Sequence, residues 1–483
     1  MPRVYCDDGV VSNFEQVSNH DEESHDSKQV EEVINIRGDQ FDGNEKADVN
    51  LLKLKYTDLW AVGLTTAIGS HFFSWSSGLS SGFGSYVIAL WFVSTGYFCL
   101  ILCISELSSA LPFAGGAYGI ARVTLGIYPG FLIACYDCLK SILCVASAAY
   151  SVGRIITTAT NGATELQFLY WGLFYMYGLA INGRGGVFFW RINKITAAIS
   201  VALLLIFVLG SIKYADFEEY APLTGREGND KWFHGGMQHF MHAMPTATRF
   251  FVGIQSIDLT CGQIRSPKTE VPKGSLGAVT TVMFTSFAVL FVACSLKPGI
   301  SVLQKSLNPL TYGYAAMFGI PYNKALCLSL PPTITYGVGY MYFYGKQLSA
   351  MGRSGLLPFA MGNEISVRNT PVAAHIAGAV IGYAVCILMY FEAHTKVELN
   401  NVVILVAMVT YMSIFLSFVF LRLYFPTIKR EFISPVGVYG AVYGFLVFAL
   451  VIVATSGYQG EYLAIESFGV ITVLASVYYY FVV

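Results

Sequence analysis

The sequence predicts an all-α polytopic membrane protein with about twelve transmembrane helices, and three observations carry that prediction. Of the 483 residues, 55% are hydrophobic and only 12% charged, whereas soluble chains carry about 25% charged residues. Apolar runs near the length needed to cross a hydrocarbon core, about 20 residues as helix, recur along the chain, among them Tyr86 to Ile104, Ile195 to Leu209 and Val436 to Ala454. Lysine and arginine collect in alternate connections between these runs, the pattern of short loops held on the cytoplasmic side.

The chain begins with 55 polar and acidic residues, including Asp21, Glu22, Glu23, Asp26, Glu31 and Glu32. They lack the apolar core of a signal peptide and the apolar content needed to fold alone. Residues 1–55 are therefore expected to be a disordered cytoplasmic tail, either regulatory or simply solvated, and residues 56–483 a transmembrane domain whose first helix directs insertion. Spans are expected near 58–82, 85–111, 127–157, 166–183, 193–213, 245–265, 275–296, 325–350, 370–391, 398–423, 435–456 and 462–482.

The basic connections follow the even-numbered spans. Arg122 follows span two; Arg184, Arg191 and Lys194 follow span four; Arg265, Lys268 and Lys273 follow span six; Arg353 and Arg368 follow span eight; Arg422, Lys429 and Arg430 follow span ten. The opposite connections, Asp216 to Lys231 and Glu392 to Glu398, are mixed or acidic. Both termini are then cytoplasmic. The plasma membrane is the expected location, with an internal membrane as the alternative.

Two spans are chemically unlike lipid-facing helices. Span one carries Thr65, Thr66, Gly69, Ser70, His71, Ser74, Ser76, Ser77 and Gly78, and span six carries Gly253, Gln255, Ser256, Asp258, Thr260 and Gly262. Such helices are expected to break. Backbone groups freed inside a bilayer need a partner, so a break persists only where a cavity, an ion or a ligand satisfies them. Paired interrupted spans in corresponding halves point to the binding site of a solute transporter.

Several motifs sharpen this reading. Span one contains Ala67-Ile68-Gly69-Ser70-His71-Phe72-Phe73. Glu106-Leu107-Ser108-Ser109-Ala110-Leu111-Pro112 and Gly115-Gly116-Ala117-Tyr118 follow span two. Span six and its exit contain Phe250-Phe251-Val252-Gly253-Ile254-Gln255, Arg265-Ser266-Pro267-Lys268 and Val271-Pro272-Lys273-Gly274. Span eight ends in Gly345-Lys346-Gln347-Leu348-Ser349-Ala350-Met351-Gly352-Arg353-Ser354-Gly355-Leu356-Leu357-Pro358. Together, from about Tyr56 onward, these resemble the amino acid, polyamine and organocation permeases, with the ethanolamine and amino-acid permease branch looking closest.

The resemblance implies a leucine-transporter-like core of two inverted five-helix repeats plus two further helices, with substrate between broken spans one and six. It implies that Gly69, Ser70 and His71 receive a carboxylate or hydroxyl end, and that Phe251, Val252, Gly253 and Gln255 form the amine end and gate. Half-helix N-termini suit an anionic group, and unwound carbonyls suit a cation. Gln255 stands where the family pattern has Asp or Glu, and Gly262-Gln263 stand where it has an acidic pair. A neutral acceptor can still take a hydrogen bond from an ammonium, and it favours a neutral amino acid over a diamine.

Lys140 in span three is the most unusual single residue, because an unpaired ammonium at membrane depth costs at least about 2.5–3.5 kcal/mol. Asp137, one turn earlier, and Asp258 from span six are its candidate partners. A structural pair, a snorkelling lysine, and a role near substrate or coupling ion all remain open. His71 is either a titrating group at the break or a packing residue. His234, His239 and His242 have a spacing that permits a metal but no supporting carboxylate, and no metal or cofactor is expected. Cys135 and Cys138 form a C-x-x-C inside an apolar helix and are read as packing residues. The stretches Tyr340 to Tyr344 and Tyr478 to Phe481 are read as headgroup anchors.

No basic cluster suits nucleic acid, no nucleophile elbow or phosphate loop supports an enzyme, and no filter motif supports a channel. The expected activity is secondary transport of amino acids or related amines by alternating access, coupled to protons or working by exchange. The alternative is a transport-inactive amino acid sensor. The expected partners are a small-molecule substrate, protons and the lipid bilayer.

Overall fold

The structure, a computed structural model, describes residues 54–73, 75–113, 115–363, 370–391, 399–459 and 462–482. The acidic tail up to residue 53, Ser74, Arg368 and the Glu392 to Glu398 connection lie outside the described residues. Every expected span is helical, and the described residues form no β-strand. Span one comprises Tyr56–Ile68, Gly69–Phe72 and Ser76–Ser81; span six comprises Gly236–Thr248 and Ile254–Gln263. Spans two to five are Phe83–Ala110, Ile127–Thr160, Gln167–Arg184 and Gly186–Ser211. Spans seven to twelve are Pro267–Cys294, Leu330–Arg353, Val372–Phe391, Leu399–Tyr424, Gly437–Gly457 and Leu463–Val482.

Eight helices among the described residues are long and apolar enough to cross a membrane without interruption. The other four span positions fall short for identifiable reasons. Spans one and six are interrupted. Span four, 18 residues long, carries Gln167, Asn182 and Arg184 near its ends and tyrosines within, and span eight is rich in Gly, Tyr and Thr because most of it is buried in protein rather than facing lipid.

The packing is that of two five-span repeats. Span three packs along span eight and span two along span seven. Span one packs on seven as six packs on two, three on four as eight on nine, and three on ten as eight on five. Advancing each member by five thus regenerates the same pairs. An odd number of spans per repeat makes the second enter from the opposite face, so the repeats are inverted. Spans eleven and twelve lie outside this core, against spans two, six, ten and three.

The basic connections gather at one end. There Lys194 pairs with Asp58 at 2.6 Å, and the Tyr56 N–H donates to Glu270 at 2.5 Å. Glu106, 2% exposed, receives Nε and Nη2 of Arg422 at 2.7 and 2.6 Å and the Ser434 N–H at 2.7 Å, with Arg430 at 3.5 Å. This clamp joins the end of span two to the connection before span eleven. At the opposite end the Asp216 to Lys231 connection folds back over the bundle: the Gly84 N–H donates to the Trp232 carbonyl and the His234 N–H to Ser81, both at 2.9 Å. Phe83, Phe217, Trp232 and Phe291 pack there edge and face. His234 lies 3.1 Å from Asp230, whose carboxyl its hydrogen bond holds below the usual range.

One aromatic reading is corrected. Tyr340, Phe343 and Tyr344 have no exposed surface, because span eight is a central strut; Tyr480 and Phe481, each 85% exposed, face outward. Cys138 is buried and Cys135 partly so, and both are free thiols.

Candidate functional site

The breaks arise where local sequence opposes a continuous helix. In span one, Thr65, Thr66 and Ser70 hydrogen-bond back to carbonyls of the preceding turn, with Ser70 Oγ donating to Ala67 at 2.5 Å. Such bonds weaken and bend a helix. The α-helix tightens at Gly69 and becomes extended at Phe73 (φ −147°, ψ 152°). Gly69 lies against span eight so closely that a Cβ there would fall 2.3 Å from Tyr336 Cβ.

In span six, Pro245 interrupts the bonding of the first half-helix, which ends at Thr248. Gly253 then adopts φ +97°, a left-handed conformation open to glycine and costly for other residues. The Val252 carbonyl freed by this turn accepts from Tyr340 Oη at 2.7 Å, and the Gly253 N–H donates to Tyr411 Oη at 3.4 Å. Tyrosines of spans eight and ten thus satisfy backbone that lipid could not.

Beside this break lies a buried polar cluster. Lys140 Nζ, with no exposed surface, makes an ion pair with Asp137 and sits 5.6 Å from the Tyr411 ring centroid. Gln255 Nε2 donates to Asp137 Oδ1 at 3.4 Å and to Ser256 Oγ at 3.1 Å, while Gln255 Oε1 has no protein partner. Asp258, one turn toward the basic end, lies against Gly116 at the start of the helix Ala117–Leu125. Its Oδ2 has no protein partner, and it lies at the N-terminal end of that helix, the end that favours negative groups. Gln263 accepts from Tyr342 Oη at 2.6 Å, so the neutral residue at the family's acidic position ties span six to span eight.

The structure brings Val252, Gly253, Gln255, Asp137 and Lys140 into one contiguous cluster, with Gly69 across from it on Tyr336, a neighbour of Tyr340. It turns the His71 imidazole elsewhere. Nε2 lies 3.2 Å from both Thr285 and Ser286 hydroxyls of span seven, and the His71 carbonyl accepts from Trp75 Nε1 at 2.8 Å. Phe251 stacks on Tyr97 of span two, with ring centroids 5.2 Å apart.

Sequence reasoning missed Tyr340, Tyr411 and Phe250. Phe250 fills the space between His71 and Trp75, at 4.9 and 5.2 Å between centroids. For Phe250 the doublet with Phe251 was a usable signal. For the two tyrosines none was visible, since their hydroxyls reach span six from remote parts of the chain.

The amino acid permease profile matches residues 59–482. The chain is also 22% identical over 419 residues to the methylthioribose transporter of Bacillus subtilis (strain 168), covering 78% of this chain and 83% of that protein. It is 22% identical over 364 residues to the branched-chain amino acid permease BcaP of Lactococcus lactis subsp. cremoris, covering 68% and 75%. A third relative is the chloroplastic cationic amino acid transporter 7 of Arabidopsis thaliana, 21% identical over 389 residues, covering 74% of this chain and 64% of that protein. The matched profile spans both broken helices and all the scaffold around them, and the chain belongs to the amino acid permease family of multi-pass membrane transporters.

Proposed function

We propose that the chain is a secondary transporter of amino acids or related amines, working by alternating access around the breaks in spans one and six. The observation that carries this reading is the turn at Val252 to Gln255, where span six leaves its helix beside a buried Asp137–Lys140 pair. Gly69, Ser70 and the His71 backbone would face the substrate's carboxylate or hydroxyl end. Val252, Gly253 and Gln255 would face its amine, with Phe250 and Phe251 as gates. Substrate would displace the Tyr340 and Tyr411 hydroxyls or bridge to them, using the same backbone groups. Protons are the proposed coupling ion, exchange being the alternative.

The basic end is placed in the cytoplasm by the positive-inside rule, with both termini there and the tail of residues 1–55 beside it; the plasma membrane is the proposed location. The named substrates of the relatives differ in charge and chemistry, so the site rather than the family must choose the ligand.

The decisive experiment is uptake of radiolabelled neutral, acidic and basic amino acids and ethanolamine into proteoliposomes, with and without an inward proton gradient. Gradient-stimulated accumulation supports the reading. Binding without accumulation, including with preloaded vesicles, refutes it in favour of a sensor.

A narrower prediction concerns Gln255→Glu. A carboxylate in place of the amide removes its donation to Asp137 and adds negative charge, so uptake of cationic amines should rise relative to neutral amino acids by about tenfold, the worth of one charged hydrogen bond. An unchanged ratio would remove Gln255 from the site.

A further inference from the structure

Gln255 leaves the span-six site without the carboxylate expected there, yet the cluster is not short of negative charge. Asp137 approaches from span three, and Gln255 Nε2 points its amide at Asp137 Oδ1 across 3.4 Å. The same carboxylate holds Lys140, one helical turn later in span three. Lys140 is fully buried, Asp137 5% exposed and Gln255 2% exposed. The ammonium also lies over Tyr411, whose hydroxyl receives the Gly253 N–H at the break itself. A charge placed this way is not snorkelling to an interface, since its four-carbon stem ends inside the protein against the unwound turn.

We propose that Lys140 is a tethered counterion that sets the charge class of the substrate. Its ammonium occupies the carboxylate beside Gln255 that could otherwise greet a cationic side chain or a second amine, so the site selects ligands of zero net charge. A zwitterionic amino acid with an uncharged side chain fits, using Gln255 Oε1, which has no protein partner, as acceptor for its ammonium. A diamine or a cationic amino acid brings an excess positive charge that only displacement of Lys140 could accommodate, and that ammonium is fully buried. An acidic side chain would meet the negative charge of Asp137. Asp258 does not substitute for Asp137 here, because it faces Gly116 and the start of the Ala117–Leu125 helix. The inference rests on the substrate site proposed above.

The test compares wild type, Lys140→Met, Asp137→Asn and the double variant, reconstituted at equal protein, with radiolabelled glutamine, lysine and glutamate. These ligands are similar in length and differ in net charge. Wild type should favour glutamine. Lys140→Met frees the carboxylate and should raise the lysine-to-glutamine ratio by about tenfold or more, as a charged hydrogen bond warrants. Asp137→Asn frees the ammonium and should raise the glutamate-to-glutamine ratio instead. The double variant, again neutral, should return to a preference for glutamine.

Wild type favouring lysine or glutamate overturns the proposal, as does a folded single variant with wild-type ratios. Should Lys140→Met fail to insert, Asp137→Asn and the double variant decide the matter alone. Should wild type bind these ligands but move none, the transport reading fails. The same ratios, read as ligand-induced shifts in melting temperature, then decide the charge proposal separately.

Discussion

Substituting Gly253 is expected to abolish uptake while leaving the protein inserted. A Cβ at this position would fall 1.9 Å from Tyr340 Oη and 2.5 Å from its Cζ, so the tyrosine must withdraw and release the Val252 carbonyl it now satisfies. The backbone at φ +97° adds about 1–2 kcal/mol of strain for any residue with a Cβ. Neither effect touches the apolar stretches that direct insertion. Gly253→Ala should cut uptake by about two orders of magnitude, in line with about 3 kcal/mol from strain plus one lost buried hydrogen bond, and Gly253→Leu should leave none detectable. Normal uptake by the leucine variant, at wild-type levels in the membrane, would move the site away from this turn.

Glu106→Ala should cause a large loss of stability without touching the site. The carboxylate is nearly inaccessible and accepts from Arg422 through two nitrogens, from the Ser434 N–H, and lies near Arg430. Removing one partner of such a buried pair costs about 3–5 kcal/mol, because the remaining charge keeps its desolvation penalty without its counterion. The consequence should be a clearly lower Tm in detergent and easier proteolysis of the Phe425 to Val436 connection, which the clamp pins to span two. Glu106→Gln, keeping the acceptor oxygen but not the charge, should fall between. A Tm equal to wild type for the alanine variant would show that solvent already relieves the charges.

The membrane architecture was legible from the sequence because lipid imposes a one-dimensional rule. A helix that must satisfy its own backbone needs a continuous apolar run, and the runs mark the spans directly. The two breaks were legible for the converse reason: the Gly, Ser and Thr runs of spans one and six can neither face lipid nor hold a straight helix. Spacing on one helix face made Asp137 a candidate partner for Lys140 beside Asp258, and the structure pairs Lys140 with Asp137.

What could not be read were choices that depend on which helix stands opposite which. His71 was placed at the break by its position in the chain, and the hydroxyls of Thr285 and Ser286 draw its ring to span seven. The Tyr340 to Tyr344 stretch has the composition of an interfacial belt, and only the packing of span eight against span three puts it at the centre. By itself, then, the sequence determined that the chain spans a bilayer about twelve times and breaks at two named helices, since hydropathy and helix propensity act locally. Tertiary structure alone decided that Tyr340 and Tyr411 complete the span-six turn, that the Asp258 carboxyl packs against Gly116, and that Glu106 holds two arginines. A hydrogen bond or ion pair between remote segments exists only once the inverted repeats have brought their helices together.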